Sequence, residues 1–328
     1  MFRNKYNSLI QLTRHNAPLN DYTKILDETK NVDVLIHAAF DNRYRHNIIG
    51  IKNILNACKN NNIKKLIYLS TISVYDLNRP SIVDENVVYT KIKAPYCREK
   101  IKIEQIIEKY RNSNSFKNNK FEIIIIQPSI VFGYGGNWSD YAFNVCNSKG
   151  IKLPNTGDII CNAIYVKDVV SLIEKCCSEH LMSGKYLITG NQSLTWREFY
   201  NGHSNFLSEI NIQNRLRILN DNTTYSYHPF YLFNMLYLIW YRTPAHFIIN
   251  YLLKVLQLVT ELLRDNGNSE YILDKNSNNK IFTPSGISRV MHKSNFIINI
   301  KKAGKEIKFK PQFNFTKGIN DMVKEYGG

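Results

Sequence analysis

Three tyrosines in this chain stand four residues before a lysine: Tyr89 with Lys93, Tyr96 with Lys100, and Tyr271 with Lys275. Among 21 tyrosines, about two such pairs arise by chance, so the spacing alone identifies nothing. Local chemistry separates the three. Pro95 biases Ala94 away from helical geometry, which breaks the face that Tyr89 and Lys93 would share. Tyr271 lies in an Asn/Asp-rich segment with no helical pattern. Tyr96 directly follows Pro95 at a helix start, where proline is tolerated, so Tyr96 and Lys100 project from one helical face. Upstream, Tyr68-Leu69-Ser70-Thr71-Ile72-Ser73-Val74-Tyr75 places hydroxyls just past an apolar run. In doubly wound sheets, ligands bind at the edge beyond the strands' C-terminal ends. A phenol, an ammonium and a hydroxyl gathered there form a set for exchanging a proton with a ligand.

The elements that must position this set read as alternating strands and helices. Val32 to His37, Lys65 to Leu69 and Phe121 to Ile126 are short apolar runs bounded by breakers, as expected of buried parallel strands. Leu9 to Thr13 is an expected earlier strand and Tyr186 to Ile188 a later one. Ile48 to Lys59 carries Ile51, Ile54, Leu55 and Cys58 on one helical face, and Tyr96 to Tyr110 carries Ile103, Ile106, Ile107 and Tyr110. The alternation predicts βαβ units, hence a doubly wound α/β fold with a parallel sheet. Past Gln127 the glycines Gly133, Gly135 and Gly136 and then Pro154 punctuate a loop-rich stretch, and Lys167 to Cys177 reads as a helix returning to the sheet.

Several segments, in this order, resemble the extended short-chain dehydrogenases of the epimerase/dehydratase superfamily, which include 3-beta-hydroxysteroid dehydrogenase-like members. Leu35-Ile36-His37-Ala38-Ala39 is similar to the family's fourth strand and the turn against its cofactor. Asn47-Ile48-Ile49-Gly50-Ile51-Lys52-Asn53 resembles the N-x-x-G-T-x-N helix, with Ile51 in place of Thr. Gln127-Pro128-Ser129-Ile130-Val131-Phe132-Gly133 resembles R-P-x-x-V-Y-G, and Ile164 to Asp168 resembles V-x-V-x-D. The stretch from Ile300 to Pro311 is like the closing K-A-x-x-x-L-G-Y-x-P. Each match is weak alone; their shared order and spacing are specific.

The resemblance implies a Rossmann-like domain over 1–135 and 163–190, and a smaller substrate lobe over 136–162 and 191–328. It implies NAD or NADP as cofactor. Tyr96, Lys100 and Thr71 become the catalytic residues, with Arg14, Ala38, Ala39, Phe40, Asn47, Ser70, Tyr96, Lys100, Pro128 and Ile130 against the cofactor. Tyr96 would exchange a proton with a substrate hydroxyl or carbonyl while the nicotinamide moves hydride. A tyrosine with an ordinary pKa near ~10 must shift about three units to operate near ~7, roughly 4 kcal/mol. The Lys100 ammonium and the positive nicotinamide would favour the phenolate. Thr71 would hydrogen-bond the reacting oxygen, its alternative role being to cap a turn. Arg14 stands where the family often reads a 2′-phosphate, which leans toward NADP.

One family feature is not found. Members open on a strand followed by G-x-x-G-x-x-G, whose backbone approaches the pyrophosphate. The first glycine here is Gly50, and Leu9 to Thr13 corresponds to the second strand. The expectation is a start lying upstream of Met1; the alternative is a catalytically inactive, cofactor-sensing or interaction protein of the same fold. The substrate is expected to be a small molecule, a sugar nucleotide or a sterol-like compound. Gly157 to Ala163 lacks the arginine that many sugar-nucleotide members place there, whereas Asn162 to Val166 and Thr195 to Phe199 match polysaccharide-type members.

Composition sets the remaining limits. The net charge of +16 is spread along the chain, so no nucleic-acid partner is expected. Six cysteines form no C-x-x-C pair, which points to reduced thiols in a cytoplasmic protein without a metal site. The runs Phe230 to Tyr241 and Phe247 to Leu263, the apolar helical segments of the lobe, are shorter than the about 18 residues of a spanning helix. Two readings of these runs compete, peripheral membrane contact and an ordinary substrate-lobe core, and a homodimer is a further candidate arrangement.

Overall fold

The computed structural model describes residues 9–41, 43–77, 81–91, 94–113, 121–212, 216–221, 281–282, 284 and 286–327. Four strands form its central sheet: β1 (Val34–His37), β2 (Lys65–Leu69), β3 (Glu122–Pro128) and β4 (Gly184–Ile188). They lie in that spatial order and all pair in parallel, Val34 facing Lys65, Leu69 facing Ile126 and Pro128 facing Ile188. Parallel neighbours need crossovers, and the helices α2 (Tyr44–Asn60), α3 (Pro95–Arg111) and α5 (Val166–Ser178) provide them. The chain is therefore a doubly wound α/β protein.

Alternation along the strands explains why the apolar runs are continuous. Leu66, Tyr68, Ile123 and Ile125 pack with Ile51, Ile54 and Leu55 of α2 and Ile103 and Ile107 of α3. Ile67, Ile124 and Ile126 face the opposite way, onto Val169, Leu172 and Ile173 of α5. Both faces of the sheet are covered, so both parities are mostly apolar, with the polar exceptions His37, Lys65 and Gln127 lying at strand ends or paired by hydrogen bonds. Each fully buried aliphatic side chain contributes about 1.5–3 kcal/mol. The helix α3 starts on Pro95 and ends with Lys109 and Arg111, which complement its C-terminal dipole.

Four more helices, α4 (Asn137–Cys146), α6 (Trp196–Glu209), α7 (Gly286–Lys293) and α9 (Phe315–Gly327), build a second, aromatic core. Trp196, Phe199, Tyr200 and Phe206 of α6 meet Phe315 and Met322 of α9 and Met291 of α7. The α6–α9 approach is close enough that a Cβ on Gly202 would stand 2.3 Å from the Phe315 ring. A short helix, α8 (Lys301–Glu306), covers the sheet beside α5 through Ala303.

Three expectations change. Leu9 to Thr13 is not a strand: Asn16 takes the Thr13 amide at 2.6 Å and returns its own amide to Gln11 at 3.1 Å, forming a turn. Such local side-chain bonds compete with a ladder. Leu9 and Ile10 stay 52% and 48% exposed. The loop-rich stretch after Gln127 contains a full helix, α4. A helix not anticipated at all, α1 (Tyr22–Glu28), is started by Asp21, whose carboxylate accepts the Lys24 amide at 3.1 Å. The apolar runs Phe230 to Tyr241 and Phe247 to Leu263 lie outside the described residues. Among the described residues no helix is long and apolar enough to cross a membrane.

Candidate active site

The strands β1, β2 and β3 end together, and the residues singled out by spacing gather at that edge. Lys100 is 6% exposed and donates from Nζ to the Leu69 carbonyl, the last residue of β2, at 2.9 Å. Its ammonium lies 5.0 Å from the Tyr68 ring centre and 5.9 Å from that of Tyr96. Thr71 caps the short turn Ile72–Val74: its Oγ1 accepts the Ser73 amide at 3.2 Å. Thr71 also lies close enough to Tyr96 to favour its phenolate. Of the two roles weighed for Thr71, the capping of a turn is the one seen here. Phe40, past the end of β1, meets the Tyr96 ring edge-on at 5.7 Å. Both rings form an open rim, 42% and 38% exposed.

Electrostatics at this edge are dominated by burial. The Tyr96 ring is 38% exposed, yet burial of the phenol pushes it up to about 12, with Thr71 opposing the rise. Burial brings Lys100 down to about 8, with Glu99 and Glu104 opposing the fall. His37 sits under Lys100 and drops to about 3, through burial first and the lysine charge second. Glu99 rises to about 7 through burial, held back by the Asn47 amide and by Lys100. Glu99 is 4% exposed, and its Oε1, like the Tyr68 hydroxyl, is buried with no partner among the described residues.

The other expected residues divide into rim and support. Ala38, Ala39 and Phe40 are exposed just beyond β1. Asn47 is buried and pins that turn, its Oδ1 accepting the Asp41 amide at 2.8 Å while its Nδ2 donates to the Asp41 carbonyl at 2.5 Å. Asp41 in turn holds Arg43 at 3.0 and 3.1 Å. Pro128 closes β3, and Ile130 opens the short strand Ile130–Phe132 that pairs with Ala163–Tyr165. Ser70 is at the edge, but its hydroxyl donates to Glu104, inside the fold. Arg14 is exposed in the turn formed by Thr13 and Asn16. Among the described residues no cluster of three or more His, Cys, Asp or Glu could hold a metal ion.

Sequence reasoning passed over His37, Tyr68, Glu99 and Glu104. Glu104 carried a usable signal, being four residues past Lys100 on the same helical face. The Thr195-Trp196-Arg197-Glu198 motif has a plain structural account: Thr195 and Glu198 form a reciprocal capping box for α6. Arg197 reaches back to Asp158 at 2.7 Å, so an arginine does face the Gly157 to Ala163 stretch, supplied from another element. Next to Ile72, a crevice lined also by Ser129, Ile130, Asn162, Trp196 and Phe296 is too narrow to admit a water molecule.

The chain is a member of the extended short-chain dehydrogenases, the epimerase/dehydratase superfamily. Within it, the chain belongs to the 3-beta hydroxysteroid dehydrogenase/isomerase family, whose model matches residues 13–200. It is 25% identical over 185 residues to the 3 beta-hydroxysteroid dehydrogenase/Delta 5→4-isomerase of vaccinia virus strain Western Reserve, covering 52% of this chain and 51% of that protein. It is 27% identical over 172 residues to the dTDP-D-glucose 4,6-dehydratase of Dictyostelium discoideum, covering 45% of this chain and 38% of that one. The chain thus spans about half the length, or less, of these curated relatives. Its fold matches MoeE5 in complex with UDP-glucuronic acid and NAD, with TM-score 0.61 and 11% identity over 95% of this chain and 84% of the other. UDP-glucose 4-epimerase from Thermotoga maritima matches with TM-score 0.61 and 13% identity, covering 95% and 83%. At such identity the likeness speaks for the fold alone.

Proposed function

We propose that this chain is an NAD(P)-dependent oxidoreductase or epimerase acting on a hydroxyl or carbonyl, with Tyr96, Lys100 and Thr71 carrying the chemistry. The observation that carries this reading is the placement of Lys100 against the end of β2, beneath Tyr96 and beside Thr71. The open rim of Phe40 and Tyr96 fits the nicotinamide and ribose of the cofactor: a flat ring can lie on aromatic edges while hydroxyls reach Lys100. When bound, the cofactor accepts or returns hydride. Tyr96 takes the proton of a substrate hydroxyl, or gives one to a carbonyl. Thr71 orients the reacting oxygen, and Lys100 holds ribose hydroxyls and favours the phenolate. Because burial pushes Tyr96 up, the cofactor's positive charge has to supply much of the downward shift.

The substrate is a sugar nucleotide or a sterol-like compound, the two classes named among the chain's relatives. The competing reading is a cofactor-binding protein without turnover, favoured by the raised Tyr96. Calorimetric titration with NAD and NADP tests the common part. Saturable binding of at least one, weakened in Lys100→Ala, is expected. Equal binding by wild type and Lys100→Ala would remove Lys100 from the site.

A further inference from the structure

The face of α3 that carries Tyr96 and Lys100 continues one turn deeper to Glu104, which is 0% exposed. Its carboxylate accepts on every side. Ser70 Oγ donates to Oε1. Gln127 Nε2 donates to both oxygens at 2.9 and 3.1 Å, and the Tyr89 hydroxyl donates to Oε2 at 3.0 Å. These donors are themselves fixed, Gln127 by the Tyr75 hydroxyl at 2.8 Å and Tyr89 by Lys185 Nζ at 3.3 Å. Donors on every side stabilise the ionised form of this carboxyl. Burial raises its pKa, while Ser70, Gln127, the Lys185 charge and Tyr89 oppose the rise. All four direct hydrogen bonds come from neutral donors. Burying a carboxylate this way is costly, and an apolar side chain would pack α3 against the sheet without that cost.

What Glu104 touches gives the cost a purpose. Lys100 holds the Leu69 carbonyl and Glu104 holds the Ser70 hydroxyl, so one helical face grips two consecutive residues immediately before Thr71. The same helix presents Tyr96. We infer that Glu104 is a positioning residue for the Tyr96–Lys100–Thr71 site, anchoring the end of β2 through Ser70 and setting a carboxylate one helical turn from Lys100. The inference rests on the site proposed above. Around Lys100 the ionisable neighbours are Tyr96, Glu99 and Glu104 from α3, His37 from β1 and Tyr68 from β2; the carboxylates favour the charged lysine, and burial disfavours it.

Lysine-selective carbon NMR on the full chain follows the Lys100 titration, its signal assigned by Lys100→Arg. Wild type should titrate at about 8. Glu104→Gln keeps the shape and removes the charge, and should lower the midpoint by about one unit. Ile107→Ala, a core truncation one turn further along α3, should destabilise the chain and leave the midpoint in place. Ser70→Ala tests the anchor with Glu104 intact: amide exchange at Ser73 and Val74, in the turn capped by Thr71, should quicken. An unmoved midpoint in a folded Glu104→Gln, or unmoved exchange in Ser70→Ala, overturns the inference. The Ser70→Ala arm decides it if Glu104→Gln does not fold. Neither readout uses cofactor, so a wild type that binds no NAD or NADP would sink the proposed function separately.

Discussion

Two buried ionisable regions of this molecule look alike by accessibility and differ in how they are satisfied. In the aromatic core, His203 donates from Nδ1 to the Phe199 carbonyl at 2.8 Å, and its Nε2 accepts from the Ser139 hydroxyl at 3.0 Å. His292 meets Tyr200 at 2.7 Å and the Ser288 carbonyl at 2.6 Å, stacked 3.7 Å from Trp196. Burial lowers these imidazoles to about 4 and about 3, so both stay neutral. At the sheet edge, by contrast, burial brings Glu99 up to about 7 and Lys100 down to about 8, and the Glu99 Oε1 and Tyr68 hydroxyl have no hydrogen-bond partner among the described residues. Burial therefore does not mark the site. Ionisable groups left incompletely paired, at an edge open to ligand, do.

The largest expected effect belongs to the sheet edge. Tyr96→Phe should lower turnover about 10²- to 10⁴-fold on any substrate found, with cofactor affinity nearly unchanged. Near-wild-type turnover would move the chemistry to another residue. The aromatic core should answer in stability instead. Trp196→Ala is expected to cost about 3–5 kcal/mol in denaturant unfolding while leaving the Lys100 titration alone. A shift of that titration would mean the two regions are coupled.

A smaller effect separates the regions by pH. Glu99 goes from an ordinary 4.5 up to about 7, so its contribution to stability is lost as pH rises between those values. His292 goes from 6.5 down to about 3, so its contribution is lost as pH falls through that window. Glu99→Gln removes only the first effect. Unfolding curves at pH 5 and pH 7 should then show stability rising more steeply with pH in the variant than in wild type; a shallower rise would contradict the assignment. The smallest effect is expected at Arg14, which is exposed in its turn. Arg14→Ala should leave stability within about 0.5 kcal/mol and reduce the preference for NADP over NAD. An unchanged preference would take Arg14 out of the cofactor site.

Much of this organisation is legible in the chain because both sheet faces are covered. Lys65 to Leu69 and the Ile123–Ile126 run are apolar at both parities, and α2 and α3 show their buried stripes plainly. The site's Tyr96 and Lys100 are legible for the same reason, since helical spacing is local. What is not legible depends on distance or on short side-chain bonds. Leu9 to Thr13 has strand-like residues, but Asn16 closes a turn on them. The α1 helix is brief and buries only Ile25 fully, too little to show a stripe. Glu104 takes its partners from Ser70, Tyr89 and Gln127, 34, 15 and 23 residues away. Lys65 reads as a strand-end cation, yet it is 5% exposed and donates to the Cys176 carbonyl at 2.6 Å, sealing the end of α5.

The central claim is that the nicotinamide–ribose end of a cofactor docks on Lys100 and Tyr96. Nicotinamide mononucleotide carries that end alone and can be titrated while the Lys100 carbon signal is watched. Binding should move the Lys100 signal in wild type and in Arg14→Ala, with affinity falling in Lys100→Ala. A Lys100 signal that stays still under saturating mononucleotide, or equal affinity in Lys100→Ala, would contradict the account.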